Sequence, residues 1–169
     1  MRPSFPGLLS VFALLTRPGS AAPLAAQGSP GTRSPVILEW GVHATVAVAD
    51  SMGFGLVGGP RMALRAPGGT RGAVSLGVGV LRDSATARAE AAVEYQLASR
   101  AARGVGVYFG GGLVGVLGAG RGEYLVLYVG LEKSPGLPSG WALEAGLGGG
   151  FRIRGAYHWR RFPAGWQPR

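Results

Sequence analysis

The stretch VILEWGVHATVAVA, residues 36–49, decides the fold of this 169-residue chain. Every second residue from Val36 to Val48 is apolar, whereas the positions between them include Glu39, His43 and several small residues. Successive side chains of a β-strand point to opposite faces of the sheet, so a period of two is typical of a strand. Residues 36–49 are therefore predicted to form a strand with one apolar face and one polar face.

The same period of two recurs along the rest of the chain, most weakly at 54–66. Clusters of Gly, Pro, Asp and Ser separate the runs, as turns do. Most runs are about as long as the ~9–11 residues that a tilted strand needs to cross a bilayer. Eight such runs in succession predict an antiparallel meander. The expected strands lie at 36–49, 54–66, 71–82, 86–98, 104–117, 122–133, 139–148 and 151–161.

The composition of the two faces predicts which one is inside. Charged residues share a face with most of the glycines, which suits a narrow interior of ion pairs, whereas the Val, Leu and Trp face suits lipid. Closure would pair every backbone donor and acceptor, as hydrocarbon requires. We therefore predict an all-β fold, an eight-stranded antiparallel up-and-down transmembrane β-barrel whose lumen is filled by side chains.

The predicted barrel assigns roles to two groups of residues. The predicted lumen charge network, which is structural, comprises Glu39, Arg88, Glu90, Glu94, Glu144, Arg152, Arg154 and His158. Glu132 and Arg160 lie on the same charged face but are not included in that network. The predicted interfacial aromatic girdle comprises Trp40, Trp141, Tyr157 and Trp159.

One stretch competes with the all-β interpretation. Residues 84–103 are rich in alanine, which favours helix, and Val93, Leu97 and Ala101 have helical i, i+4 spacing. Apolar residues in the same stretch also alternate with charged ones, as they do in the neighbouring runs. A helix over 84–103 remains the alternative to a strand.

Residues 53–58 (GFGLVG) match the G-x-G-x-x-G pattern of dinucleotide-binding loops. Such a loop needs a helix directly after it, because the helix N-terminus binds the pyrophosphate. Gly59 and Pro60 follow instead, and no helical period begins there. We interpret the stretch as a glycine-rich turn and expect no cofactor.

The composition bounds the function. The chain is 47 % hydrophobic and 15 % charged, the reverse of a disordered protein. Its formal charge of +9 comes from arginines spread along the chain, whereas a nucleic-acid arm would cluster them. His43 and His158 are the only histidines and lack zinc-site spacing, and there is no Cys. We expect neither a nucleic-acid partner nor a metal.

The N-terminus reads as an export signal. Residues 1–26 combine Arg2, an apolar stretch at 8–16 and a small-residue segment ending at Ala26, which is typical of a cleaved signal peptide. The apolar stretch is too short for a transmembrane helix. Residues 27–35 are expected to be a disordered lead-in to the barrel at 36–162.

The chain resembles the small outer-membrane β-barrel families of the OmpA/OmpX type. The resemblance rests on pattern, most clearly in 93–97 (VEYQL), 107–112 (VYFGGG) and the last strand, where Tyr157 and Trp159 alternate before Phe162. It implies an outer-membrane location, contact with outer-membrane lipid, and a last strand that the outer-membrane assembly machinery recognises. A monomer is expected. The C-terminal tail at 163–169 departs from the family pattern, in which the aromatic residue is terminal.

The resemblance implies a structural or interaction role without catalysis. Two alternatives stay open: a soluble periplasmic barrel that binds a small apolar ligand, and a lipid-modifying outer-membrane enzyme. The serine two residues from a histidine that we associate with outer-membrane deacylases is absent. The family also places both termini in the periplasm and its longer loops outside. The longest predicted connection, 134–139, lies on the periplasmic side, so either a strand is miscounted or the barrel has short loops at both ends.

Overall fold

The computed structural model describes residues 36–49, 53–66, 68–97 and 104–163. The predicted signal peptide at 1–26, the lead-in up to residue 35 and the tail from residue 164 onward lie outside the described residues. Within the described part, no helix is long and apolar enough to span a membrane.

Eight strands form one closed antiparallel barrel in which each strand pairs with its sequence neighbours and the first pairs with the last. The predicted all-β, eight-stranded up-and-down fold is confirmed. Each strand begins and ends within two residues of its predicted bounds. The strands are β1 (Ile37–Ala49), β2 (Gly53–Arg65), β3 (Thr70–Leu81), β4 (Ser84–Gln96), β5 (Val105–Gly118), β6 (Gly122–Lys133), β7 (Ser139–Leu147) and β8 (Phe151–Arg161).

The alanine-rich stretch forms the predicted strand, β4 over Ser84–Gln96, and not the alternative helix, because its neighbours β3 and β5 offer ladder partners along its length. The interpretation of 53–58 as a glycine-rich turn is wrong, because the stretch pairs with both β1 and β3 inside strand β2. Tertiary pairing overrides intrinsic propensity in both cases.

The barrel has two distinct ends. The terminus end holds the start of β1, the end of β8 and the connections 66–69, 97–104 and 134–138. The turn end holds the connections 50–52, 82–83, 119–121 and 148–150. The longest connection is therefore 97–104 rather than 134–139, and no strand was miscounted. At both ends, the connections contain fewer residues than the strands that they join.

The shortest connection shows how the turn end is built. Arg82 and Asp83 alone join β3 to β4, and both have positive φ (52° and 60°). Two successive residues in this region form a type I′ turn, whose twist matches that of the flanking strands.

Apolar and charged side chains are distributed inside out. Val78 is 72 % exposed and Leu127 is 68 % exposed, whereas Glu94 and Arg152 are each 1 % exposed. The exposed and buried positions alternate along every strand, for example in β3 and β8. The period of two in the sequence is thus the alternation between the outer wall and the lumen.

Inward-facing glycines leave room for bulky inward side chains on the adjacent strand. Gly130 lies across from Tyr108, and Gly110 lies across from Tyr128. The two tyrosine rings meet edge to face with their centroids 6.4 Å apart. A small residue opposite a large one lets a narrow lumen fill without overlap. The two tyrosine rings therefore require glycine at positions 110 and 130.

We predict that Gly130→Ala destabilises the barrel, because a Cβ there would lie 2.7 Å from Cε1 of the Tyr108 ring. That ring is buried and its hydroxyl donates to Glu144 Oε1 at 2.9 Å, so it has little freedom to move. Overpacking of this kind costs about 1–3 kcal/mol in the free energy of unfolding, which a urea titration of the folded barrel measures.

Gly155→Ala is the matched control, because no atom lies within 4 Å of a Cβ at this outward-facing strand position. Its free energy of unfolding should stay unchanged or rise slightly, since alanine restricts the unfolded chain. Equal losses in the two variants would contradict the proposed fit between Gly130 and Tyr108.

Candidate functional site

The lumen is the only part of the described structure in which charged side chains are buried together. Among the described residues, seven arginines, five glutamates and both histidines face inward and are buried. They come from all strands except β5, which contributes Tyr108 instead. The charged members are Arg61, Arg65, Arg71, Arg88, Arg152, Arg154 and Arg160 with Glu39, Glu90, Glu94, Glu132 and Glu144.

At the terminus end, Glu39 and Glu132 are each shared by the same three arginines. Arg65 Nε lies 2.6 Å from Glu39, and Arg65 Nη2 donates to Glu132 Oε1 at 2.8 Å. Arg71 contacts Glu39 at 3.1 Å and Glu132 at 3.3 Å. Arg160 also contacts both carboxylates and donates to the backbone carbonyl of Leu137 at 2.8 Å. The cluster therefore ties β1, β2, β3, β6 and β8 together at this end.

This cluster also contains the described residues that come nearest to a metal site. Glu39, Glu132 and His158 offer ligand atoms within 4.8 Å of one another. Arginines already neutralise both carboxylates, and Arg160 contacts the His158 ring. A divalent cation would have to displace these guanidiniums, so the arrangement is built for ion pairing.

In the middle of the lumen, the carboxylates of Glu94 and Glu144 each contact an arginine and a tyrosine hydroxyl. Arg61 bridges Glu94 and Glu144, the second at 2.8 Å. Tyr128 donates its hydroxyl to Glu94 Oε1 at 2.6 Å, and Tyr108 donates to Glu144 Oε1 at 2.9 Å. Hydrogen bonds of this kind satisfy the carboxylate lone pairs that the ion pair leaves over.

At the turn end, one carboxylate serves three guanidiniums. Glu90 accepts from Arg152 at 2.6 Å, from Arg154 at 2.6 Å and from Arg88 at 3.2 Å. Glu144 gives only a longer second contact, at 3.4 Å to Arg154 and 3.7 Å to Arg152. Positive charge is therefore in surplus at this end of the lumen.

All eight residues of the predicted charge network are buried in the lumen. Five of them form ion pairs with one another: Arg88, Glu90, Glu144, Arg152 and Arg154. Glu39, Glu94 and His158 pair instead with charged residues outside the predicted network. Arg61, Arg65 and Arg71 were not predicted, although they lie among the most connected members of the network. Arg61 and Arg65 continue the inward positions of β2, but the glycines of that strand hide its period. Arg71 precedes Ala73 and Ser75 on the same face, which was the signal available for it.

The four predicted girdle residues lie together at the terminus end on β7, β8 and β1. Trp40 stacks on Trp159 with ring centroids 4.6 Å apart, and Tyr157 meets Trp159 at 5.0 Å. Trp141 is the cross-strand neighbour of Tyr157. Trp40, Trp141 and Tyr157 are exposed on the outer wall, and Trp159 is partly exposed. The four form one continuous aromatic patch at one end of the barrel.

The chain is similar to solved structures. The N-terminal β-barrel domain of Pseudomonas aeruginosa OprF matches with a TM-score of 0.56 and 12 % identity, over 74 % of this chain and 97 % of that one. A de novo designed transmembrane β-barrel matches with a TM-score of 0.48 and 11 % identity, over 77 % and 98 %. No family model and no curated protein matches the sequence.

The class that fold and lumen define is the small closed barrel with a charged interior and an apolar outer wall. The OprF domain is a solved example of the fold, and the predicted resemblance to small eight-stranded outer-membrane barrels is confirmed at the level of fold. At this identity the likeness concerns architecture alone.

Glu90→Gln tests how strongly the lumen network stabilises the barrel. The variant leaves Arg88, Arg152 and Arg154 without their shared carboxylate. Removing one partner of a buried ion pair costs about 3–5 kcal/mol, so the urea midpoint should fall sharply. Because buried pairs are weakly screened, the loss should persist in high salt.

Glu123→Gln is the control, since Glu123 is exposed at the end of β6, and its midpoint should not move. Adding Arg152→Gln to Glu90→Gln should recover part of the loss, because it removes one of the stranded charges. Additive losses in the double variant would contradict a direct coupling between the two side chains.

Proposed function

We propose that this chain is an integral outer-membrane β-barrel protein with a structural or interaction role and no catalysis. The observation that carries the proposal is the outer wall: among the described residues, 32 large hydrophobic side chains are exposed, and every strand carries more than one of them. Soluble monomers rarely expose apolar patches larger than a few hundred Å². Closure of β1 onto β8 leaves no unpaired sheet edge, which hydrocarbon requires.

The spacing of the exposed charges supports a membrane-spanning wall. Within the described strands, charged residues reach the outer face only near strand ends, at Glu123, Lys133 and Arg161. Glu123 and Lys133 bracket four exposed apolar residues of β6. Ten residue steps at ~3.3 Å per residue and a ~40° tilt span ~25 Å along the barrel axis. That distance matches the apolar band of outer-membrane barrels, also ~25 Å.

The aromatic patch supports an interface at the terminus end. Trp and Tyr favour the boundary between acyl chains and water, because each combines an apolar ring with a polar N–H or O–H group. In the orientation expected for the family, this end faces the periplasm, where a cleaved signal at 1–26 would leave the N-terminus. Strand β8, which carries Tyr157 and Trp159, is the segment that we propose the outer-membrane assembly machinery recognises.

The two alternatives are less well supported. A soluble barrel for an apolar ligand needs its apolar faces inward, whereas the described lumen is filled by arginine, glutamate and tyrosine. A lipid-modifying enzyme needs a catalytic base beside an acyl chain on the outer wall. Both His43 and His158 point into the lumen and are buried. His158 contacts Glu132 and Arg160 there.

Leu127→Arg tests the membrane-facing wall, because Leu127 is exposed near the middle of the apolar band of β6. In liposomes, arginine at the bilayer midplane should lower the free energy of unfolding by about 2–4 kcal/mol. Glu123→Arg, on the same face of the same strand but at its end, should cost about 0–1 kcal/mol. In a soluble barrel, arginine at either exposed position would be harmless, so equal effects would contradict the proposal.

Fractionation of the full-length chain, expressed in a Gram-negative host, provides a second test. The protein should sediment with outer membranes, require detergent for extraction and migrate differently on gels before and after boiling. Recovery in the osmotic-shock fluid without detergent would reject the membrane assignment.

A further inference from the structure

The surplus of positive charge at the turn end leaves donors without partners. Arg88 Nε, Arg152 Nε and Arg152 Nη2 are buried and have no hydrogen-bond partner. Both arginines depend on the single carboxylate of Glu90 for their shortest ion pairs. A buried unpaired donor costs about 1–3 kcal/mol, and more on a charged group. Such a group therefore needs a specific explanation.

A cavity lies directly against one of these arginines. It has a volume of about 60 Å³ and is lined by Arg88 and Thr86 from β4, Tyr124 from β6, and small or apolar residues that include Ala47, Val57 and Gly148. A cavity needs only about 10–15 Å³ measured in this way to hold one water molecule. The space is thus large enough for a small polyatomic ion.

The polar groups of the cavity wall favour an anion. Thr86 Oγ1 donates to the Leu117 carbonyl at 3.0 Å, and Tyr124 donates its hydroxyl to the Gly120 carbonyl at 3.2 Å. Both hydroxyl hydrogens are therefore engaged with the barrel backbone. Arg88 is the one residue in the lining of this cavity with a charged side chain, and its guanidinium carries a permanent charge. It donates to Glu90 through Nη2, and its Nε has no hydrogen-bond partner.

We propose that the turn end of the lumen binds a single phosphate group in the cavity beside Arg88. A guanidinium presents its N–H donors in a planar fork that matches the geometry of a phosphate. Arg152 and Arg154 form ion pairs with the same carboxylate as Arg88, that of Glu90, and their charges add to the positive potential at this end of the lumen. The group is either free inorganic phosphate or the terminal phosphate ester of a larger molecule at the barrel mouth. The inference goes beyond the proposed membrane role and does not depend on it.

The experiment measures phosphate binding to the folded full-length chain by ³¹P NMR and calorimetry, in a phosphate-free detergent and at constant ionic strength. The wild type should bind inorganic phosphate saturably with one site. Arg88→Gln removes the charge and the fork, and should weaken binding at least tenfold. Arg121→Gln, which removes an equal charge from an exposed position at the same end, should leave the affinity unchanged.

Two further arms make the outcome decisive. If Arg88→Gln fails to fold, Ala47→Leu fills the same cavity without changing any charge and should abolish binding equally. Glycerol 3-phosphate distinguishes the sources: binding of both probes indicates a mouth open to esterified phosphate, and binding of inorganic phosphate alone indicates a site for the free ion. No saturable binding by the wild type, or undiminished binding by folded Arg88→Gln, would overturn the proposal.

Discussion

Seven guanidiniums and five carboxylates share one narrow tube, and each buried charge must lie against an opposite one. Moving an ion out of water costs several kcal/mol even after relaxation, and only close pairing with further hydrogen bonds repays it. Every glutamate in the lumen meets this condition by contacting two or more arginines, and the contacts join strands that are not neighbours in the sheet. Arg65 of β2, for example, reaches Glu132 of β6 across the barrel. The network thus holds the two sides of the wall at a fixed distance.

This requirement explains two features of the composition that otherwise look unrelated. The buried cations of the described lumen are arginines and none is a lysine, because a planar fork can bridge two carboxylates whereas an ammonium acts as a point charge. Arg61 bridges Glu94 and Glu144 in this way. Gly110 and Gly130 follow from the same crowding, since the tyrosines that donate to those carboxylates lie over them on the next strand.

The sequence was enough to predict the strands and the two faces, because a period of two survives in any strand with one face in lipid or in a packed lumen. It failed where side chains are too small to mark the period, so the glycines of β2 read as a turn and their neighbours Arg61 and Arg65 went unnoticed. Which arginine meets which glutamate was also beyond reach. That pairing depends on barrel closure and on register across the lumen, and neither is a local property of the chain.

The two ends of the lumen show that the charge surplus is not forced by the architecture. At the terminus end, two glutamates face three arginines, and each of these arginines contacts both carboxylates. At the turn end, three arginines share Glu90 at short distance and have only longer contacts to a second carboxylate. At the turn end, the inward position directly across from Arg152 on β1 is Ala47, where a carboxylate would supply the missing charge. Ala47 supplies only a methyl group there. It lines the same cavity as Arg88, whose Nε has no hydrogen-bond partner. Departures from full polar pairing in otherwise consistent proteins concentrate at sites of function, and here such a departure lies beside free space.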